Sequence, residues 1–383
     1  MREDATAAFN VVFGHAHDGL WSAPGRVNLI GDHTDYNEGF VLPFAINRRT
    51  VAALAVRGDR MLRVASGFAD ELVEIDLLDL RPDALHGWSA YPLGVAWALG
   101  ELGADLAAAP GADIFIDSDV PVGAGLSSSA AIECAVAIAL NDVWHLGFDG
   151  TQLARAGQLA ENTAVGAPTG IMDQTASLFG DDGSAIFLDC RSLESRSVDL
   201  GLTEAGLQIM VIDTATAHDL SDGGYGQRRA SCELAARTLG VPALRDLTID
   251  DLGRAAELLD QTTFRRARHV ITENQRVLDV VHLLDHVGPL AIGALLDASH
   301  RSLRDDFQIS TPQLDLAVET ALAHGAIGAR MTGGGFGGAA IALIPEGIDS
   351  LLRVAIDGAF AEHGYSQPDT FRVTASAGAR REA

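Results

Sequence analysis

The chain has 383 residues, a formal net charge of −25 and no lysine, so all 27 of its basic side chains are arginine. At ~150 residues per domain the length asks for two domains with a cleft between them, and the acidity argues against a nucleic-acid surface or an anionic membrane as the main partner. The absence of lysine excludes the Walker A loop and the protein-kinase design, each of which sets a Lys on the nucleotide phosphates.

Cys134, Cys190 and Cys232 lie far apart, and no Cys/His group has metal-ligand spacing, which predicts a reduced cytoplasmic setting. Residues 1–10 carry acids and no apolar core, and no uncharged apolar run approaches ~18 residues. The expectation is a cytoplasmic protein with neither a signal peptide nor a membrane span.

In chain order, residues 22–47 read SAPGRVNLIGDHTDYNEGFVLPFAIN, where strand-like apolar pieces enclose Arg26, Asn28, Asp32, His33, Asp35, Tyr36 and Asn37. A polar turn in water is the plain reading of any one of them. As a unit, the carboxylates and imidazole of Asp32, His33 and Asp35 suit the hydroxyls of a sugar, because a carboxylate accepts hydrogen bonds and a neutral His can do either. Strands are predicted next at Thr50–Val56, Leu62–Ser66, Leu72–Asp76 and Ala112–Asp117.

Residues 121–131, PVGAGLSSSAA, follow the last of these strands and precede Ser128–Trp144, a run apolar on nearly every face that predicts a buried helix. Strand, glycine-rich loop and helix is the order an anion site needs. Gly123 and Gly125 let the backbone approach phosphate, and the free N–H groups and dipole of the helix start face the negative charge. The hydroxyls of Ser127, Ser128 and Ser129 add groups that can bond phosphate or ligate Mg²⁺. One serine would serve as an ordinary helix cap. Three in a row, before a helix too apolar for the surface, favour phosphate.

A second helix is predicted over Thr151–Val165, ending near Gly166, and Asp173 then opens an apolar segment. That acid can be a helix-dipole partner or a functional carboxylate, and Glu161 can be a surface charge or a Mg²⁺ ligand opposite the serines. The segment alone does not choose. Strands follow at Ser184–Asp189 and Leu207–Asp213 with a domain boundary near residue 200, then helices at Arg228–Leu239 and Thr262–Leu284. Residues 331–340, MTGGGFGGAA, hold five glycines among six positions before the strand Gly338–Ile344. Such a run either forms a wide loop of positive φ or presses backbone N–H groups against a ligand. The small polar tail from Ala375 to Ala383 is expected to fray. Alternating strands and helices without a repeat give an α+β or α/β class.

Taken together, the Arg26–Ile46 segment, PVGAGLSSSAA and MTGGGFGGA resemble the three motifs of the GHMP family of small-molecule kinases, over essentially the whole chain. Two more stretches, His218–Glu233 and Arg266–Val277, resemble the branch of that family that acts on galactose. The resemblance implies an α+β protein of two domains, 1–200 like domain 2 of ribosomal protein S5 and 201–383 ferredoxin-like, with the active site in the cleft. It implies phosphorylation of α-D-galactose by ATP at the C1 hydroxyl, giving galactose 1-phosphate and ADP, the first committed step of galactose catabolism.

By position, Asp173 would be the catalytic carboxylate and Arg26 the cation beside it. Asp32, His33, Asp35, Gly170 and Tyr225 would form the sugar pocket, while Gly123, Gly125, Leu126 and Ser127–Ser129 would hold the ATP phosphates. Ser129 and Glu161 match the Mg²⁺ ligands, and Trp88 and Tyr91 the adenine pocket. Asp32 departs from the Glu usual at its position, which puts discrimination at the sugar's 6-hydroxyl in question. A monomer without an obligate protein partner is expected. The same scaffold serves kinases for N-acetylgalactosamine or arabinose and non-catalytic galactose sensors; HTDYN at 33–37 favours galactose, and intact SSSA at 127–130 with Asp173 favours catalysis.

Overall fold

The computed structural model describes residues 2–216 and 224–382. The N-terminal part opens with α1 (Arg2–Phe13), β1 (Gly19–Asn28), β2 (Phe40–Val41), β3 (Pro43–Val56), β4 (Met61–Ser66) and β5 (Ala69–Asp76). It continues through α2 (Ala90–Glu101), β6 (Ala112–Ser118), α3 (Ser128–Val143), α4 (Gly150–Ala160), α5 (Met172–Phe179), β7 (Ser184–Asp189) and β8 (Ser195–Asp199). The C-terminal part holds β9 (Leu207–Asp213), α6 (Gly224–Leu239), α7 (Leu252–Leu258), α8 (Gln261–His286), α9 (Gly293–Ser302) and α10 (Pro312–Ala323). β10 (Gly328–Thr332), β11 (Ala339–Pro345), α11 (Asp349–Glu362), β12 (Asp369–Val373) and β13 (Arg380–Arg381) complete it.

The fold is α+β in two domains. The first is built on a six-stranded sheet in the order β13-β1-β3-β6-β4-β5, with a small β2-β7-β8 sheet beside it. The second has the antiparallel order β10-β11-β9-β12. With helices between β9 and β10 and between β11 and β12, that is the β-α-β-β-α-β path of a ferredoxin-like domain.

As its apolar surface on every side predicts, α3 is buried: it packs on β1 and β3 and against α2, α4 and α5. A separate core lies between the two sheets, where Val27, Phe44 and Ile46 of the first meet Ile209, Val211 and Ile341 of the second, with Val277 of α8 packed in the same cluster. This apolar seam floors the cleft and fixes the loops above it.

β1 has no counterpart among the expected strands because Pro24 and Gly25 break its pattern, and its pairing with β3 shifts register between Pro24 and Arg26. The tail is not frayed. Arg380 and Arg381 pair with Ser22 and Trp21, the Ser376 N–H donates to the Ala45 carbonyl at 2.9 Å, and Arg49 donates to the carbonyls of Ala377 and Gly378. A short polar tail orders here because β1 would otherwise be an open sheet edge.

Candidate active site

Arg26 sits on β1 just past the register shift, and its backbone N–H donates to the Leu126 carbonyl at 3.0 Å, joining strand to phosphate loop. The buried guanidinium grips Asp173 with two prongs, Nε to Oδ1 at 2.7 Å and Nη2 to Oδ2 at 2.8 Å, while Nη1 donates to the Gly125 carbonyl at 2.6 Å. Burial opposes the charge on Arg26, but the Asp173 carboxylate outweighs it and the guanidinium pKa is raised. Ser127 adds a third donor to Asp173, Oγ to Oδ2 at 2.5 Å.

The serine-cap alternative fails at Ser127. It precedes α3 in left-handed conformation, φ 57°, and its side chain caps nothing; the hydroxyl goes to Asp173 instead. Ser128 starts the helix, so the N-terminal amides of α3 open towards the cavity beside Gly123 and Gly125. Asp173 itself lies in the first turn of α5, so the dipole reading and the Arg26 pairing hold together.

The glycine run of residues 333–338 lies against this loop. A Cβ on Gly333, whose φ is +83°, would come within 2.9 Å of the Gly125 carbonyl. Its N–H donates to Asp32 Oδ1 at 3.1 Å, and Arg330, fully buried, donates to Asp32 Oδ2. The run takes the positive-φ form at Gly333, Gly335, Phe336, Gly337 and Gly338, and its first N–H is bonded to a carboxylate of this chain. Burial pushes the Asp32 carboxyl upward, against the pull of Arg330.

His33 also has positive φ, 65°, with Nδ1 2.8 Å from the Tyr36 hydroxyl and Nε2 3.2 Å from the Gly334 carbonyl. A carbonyl only accepts, so Nε2 carries the proton and Nδ1 accepts from Tyr36. The Tyr225 ring stands 5.1 Å from His33 and 5.5 Å from Tyr36; residues 218–223 of the stretch that precedes it lie outside the described residues.

Asp35 has no ion-pair partner among the described residues. Burial, with the nearby Asp173 charge, pushes its carboxyl up to about 7. Gly170 is required beside it, since a Cβ there would sit 2.0 Å from Asp35 Oδ2.

One cavity of about 340 Å³ is lined by Arg26, Asp32, His33, Asp35, Tyr91, Gly123, Gly125, Leu126, Ser127, Ser128, Ser129, Glu161, Gly170, Asp173 and Tyr225. Every expected site residue but one therefore faces a single space. Trp88 does not line it: its ring packs edge-on to Phe68 at 5.5 Å, and its buried indole N–H has no acceptor among the described residues.

Glu161 begins a π-helical turn over Glu161–Val165 that ends α4, a distortion common at functional sites. Ser129 Oγ donates to its Oε1 at 3.0 Å, and Thr169 Oγ1 and Gln174 Nε2 donate to Oε2 at 2.8 and 3.0 Å. Burial and the Asp173 charge raise its pKa. No group of three or more His, Cys, Asp or Glu able to hold a metal occurs among the described residues. The donor set present, one hydroxyl and one carboxylate beside a phosphate loop, suits Mg²⁺, which keeps waters and leans on one or two carboxylates plus phosphate oxygens.

Sequence reasoning missed Arg330, Thr169, Gln174 and Glu133. Arg330 carried a usable signal, a lone charge between apolar strand residues, and so did Glu133, a lone acid inside SSAAIECAVAIAL.

Comparison with known proteins agrees with this geometry. A model for the galactokinase galactose-binding signature matches residues 7–56, and models for the GHMP kinases N terminal domain and C terminal match 90–181 and 289–355. The chain is 52% identical over 377 residues to a galactokinase of Streptomyces coelicolor, covering 97% of this chain and 96% of that one. It is 43% identical over 364 residues to one of Mycobacterium tuberculosis, covering 94% and 98%. The solved structure of Lactococcus lactis galactokinase in complex with galactose superposes with a TM-score of 0.94 at 32% identity, covering 99% of both chains. Methanococcus jannaschii mevalonate kinase shares the fold alone, at TM-score 0.66 and 17% identity, covering 94% and 98%.

Proposed function

The chain belongs to the galactokinase family of GHMP kinases, ATP-dependent sugar kinases, and from that premise we propose that it transfers the γ-phosphoryl group of ATP to the C1 hydroxyl of α-D-galactose. The products are ADP and galactose 1-phosphate, and the reaction opens galactose catabolism. The observation that carries this is the convergence of Arg26, Ser127 and Asp173 where the phosphate loop meets the pocket of Asp32, His33, Asp35 and Tyr225.

Phosphoryl transfer asks for alignment and charge stabilisation more than for covalent chemistry. The amides of the 123–129 loop and the start of α3 hold the phosphates, with the adenine towards Tyr91. Arg26 fixes Asp173 from behind, so the carboxylate points at one place and accepts or orients the proton of the C1 hydroxyl as the new O–P bond forms. Arg26 also brings a permanent positive charge next to the oxygens on which negative charge builds. Asp35 and Tyr225 accept from and donate to the remaining sugar hydroxyls, His33 reaches one by exchanging its bond to Tyr36 or to the Gly334 carbonyl, and Gly170 closes the wall behind them. Asp32 is held by Arg330 and the Gly333 amide, so it presents to the sugar only the acceptor capacity those bonds leave.

Ser129 Oγ and Glu161 Oε1 are the ligands this chain offers Mg²⁺. Bound there with the nucleotide, Mg²⁺ would supply neutralisation of phosphate charge.

The test is ADP release with Mg·ATP against galactose, N-acetylgalactosamine, arabinose, glucose, mevalonate and homoserine. Selective turnover of galactose is expected. Preference for N-acetylgalactosamine would reassign the substrate, and galactose binding by calorimetry without turnover would move the protein to a sensor role. In the cytoplasm, as a monomer, the protein needs no macromolecular partner for this reaction, and sedimentation of the purified chain checks its oligomeric state.

A further inference from the structure

Glu133 is the one acid of the buried face of α3, and nothing in the proposed reaction uses it. It is completely buried, and its Oε1 has no hydrogen-bond partner among the described residues. A leucine would fill the same space without the cost of desolvating a carboxyl group, so a half-satisfied acid on a helix whose other buried residues are Ala, Ile, Cys, Val and Leu calls for a reason.

The reason lies in what its other oxygen holds. Gln174 of α5 donates through a single nitrogen, Nε2, to Glu133 Oε2 at 2.9 Å and to Glu161 Oε2 at 3.0 Å. Both hydrogens of that amide are thereby spent, one on each acid. With Thr169 on the same Glu161 oxygen, Oε2 is pinned from behind by two donors, and Oε1 is left to Ser129 and the cavity. α4 clamps the arrangement: a Cβ on Gly157 would meet Gln174 Cγ at 2.8 Å and Glu133 Oε2 at 3.3 Å. Gln174 therefore has little room to turn while Glu133 stays in place.

We propose that Glu133 is a positioning residue for the divalent cation: it fixes the Gln174 amide, and through it aims Glu161 Oε1 at the site shared with Ser129. The proposal rests on the reading of Ser129 and Glu161 as cation ligands. Burial and the neighbouring Glu161 push the Glu133 carboxyl well above its usual range, in keeping with a role as neutral acceptor that a glutamine can fill. Ligands held from behind bind metal more tightly than free ones, and loss of such a partner commonly costs ~10–100-fold in metal affinity.

The experiment measures Mn²⁺ affinity by electron paramagnetic resonance in the presence of a non-hydrolysable ATP analogue, with galactose KM and thermal midpoint followed alongside. Glu161→Ala comes first. If it binds Mn²⁺ as tightly as the parent protein, the ligand assignment itself is wrong and the proposal falls with it. Given that loss, Glu133→Leu is expected to weaken Mn²⁺ by ~10–100-fold with galactose KM unchanged and no drop in thermal midpoint, and Glu133→Gln to restore most of the affinity. Unchanged Mn²⁺ affinity in Glu133→Leu overturns the proposal while leaving Glu161 as a ligand. An equal loss of metal and galactose binding with a fallen midpoint also overturns it, because that is the signature of a merely structural residue. Should Glu133→Leu not fold, Gln174→Met removes the same amide at similar length and is judged by the same Mn²⁺ criterion.

Discussion

Asp173 and Asp35 face the same cavity and live in opposite surroundings. Asp173 receives three hydrogen bonds, two from a buried guanidinium and one from Ser127. Asp35 has no cation bonded to it among the described residues and is pushed up to about 7 by burial and by Asp173 itself. The first acid is fixed in place and charge-compensated before any substrate arrives. The second is left uncompensated, open to whatever hydroxyls enter. On the proposed function, the difference separates a reaction centre, where geometry must be set in advance, from a recognition centre, where the missing hydrogen bonds are the ligand's to make.

The largest expected effect comes from breaking the fixed side. Asp173→Asn keeps the shape but turns half of the carboxylate into a donor facing Arg26, and kcat should fall by ~10²–10⁴ with Mg·ATP still bound. A variant with nearly full kcat in the coupled ADP assay would remove Asp173 from the mechanism. Arg26→Met strips Asp173 of its counter-charge. Breaking a buried pair costs ~3–5 kcal/mol, and as Asp173 remains about a fifth exposed to cavity water we expect about 2–3 kcal/mol, read as a lower urea midpoint. No change in that midpoint would mean the pair serves catalysis alone.

How much of this could be read beforehand differs between the two acids. The phosphate loop, the buried helix behind it and the polar cluster of residues 26–37 were all legible, because glycine, serine and apolar runs act over a few neighbouring positions. The grip of Arg26 on Asp173 spans 147 positions and was reached only through family resemblance. Asp32 was legible as polar but not as a tether, since its partners Arg330 and Gly333 lie some 300 residues on and meet it only once the two sheets share a core. Trp88 was named with Tyr91 only through family resemblance, and its ring packs on Phe68. Glu133 and Gln174 were hidden for a different reason: a buried acid and amide have meaning only through the bond between them.

The uncompensated side gives a prediction in pH. The folded-state pKa of Asp35 lies above its unfolded value, so the folded chain holds a proton that the unfolded chain has released between about pH 4 and about 7. Stability of the empty protein should therefore decline as pH rises through that window and level off above it. The contribution is on the order of 1–3 kcal/mol, since cavity water screens part of it. In Asp35→Asn the slope should flatten, making the variant's advantage in thermal midpoint larger at pH 8 than at pH 5. An equal advantage at both values would show that Asp35 is not the group titrating. Galactose should reverse the trend for the parent chain, its hydroxyls supplying the donors that the ionised carboxylate lacks. kcat/KM for galactose should accordingly rise through about pH 7 and lose that rise in Asp35→Asn.

The smallest effect tests how completely the fixed side is fixed. Ser127→Ala removes one of three hydrogen bonds to Asp173 and leaves the two-pronged contact with Arg26 whole. It removes no helix cap, because Ser127 caps nothing in α3. A single hydrogen bond to a charged group is worth about 1.5–3 kcal/mol when its acceptor is left bare, but here Arg26 still satisfies both oxygens. The residual cost should be about 1 kcal/mol, or roughly fivefold in kcat, with the ATP KM unchanged. A loss near that of Asp173→Asn would mean the hydroxyl does more than hold Asp173, and the ATP KM would then say whether it also touches a phosphate. No loss at all would mean that the bond from Ser127 belongs to the empty cavity and is surrendered once nucleotide enters, leaving Arg26 as the sole support of the reacting acid.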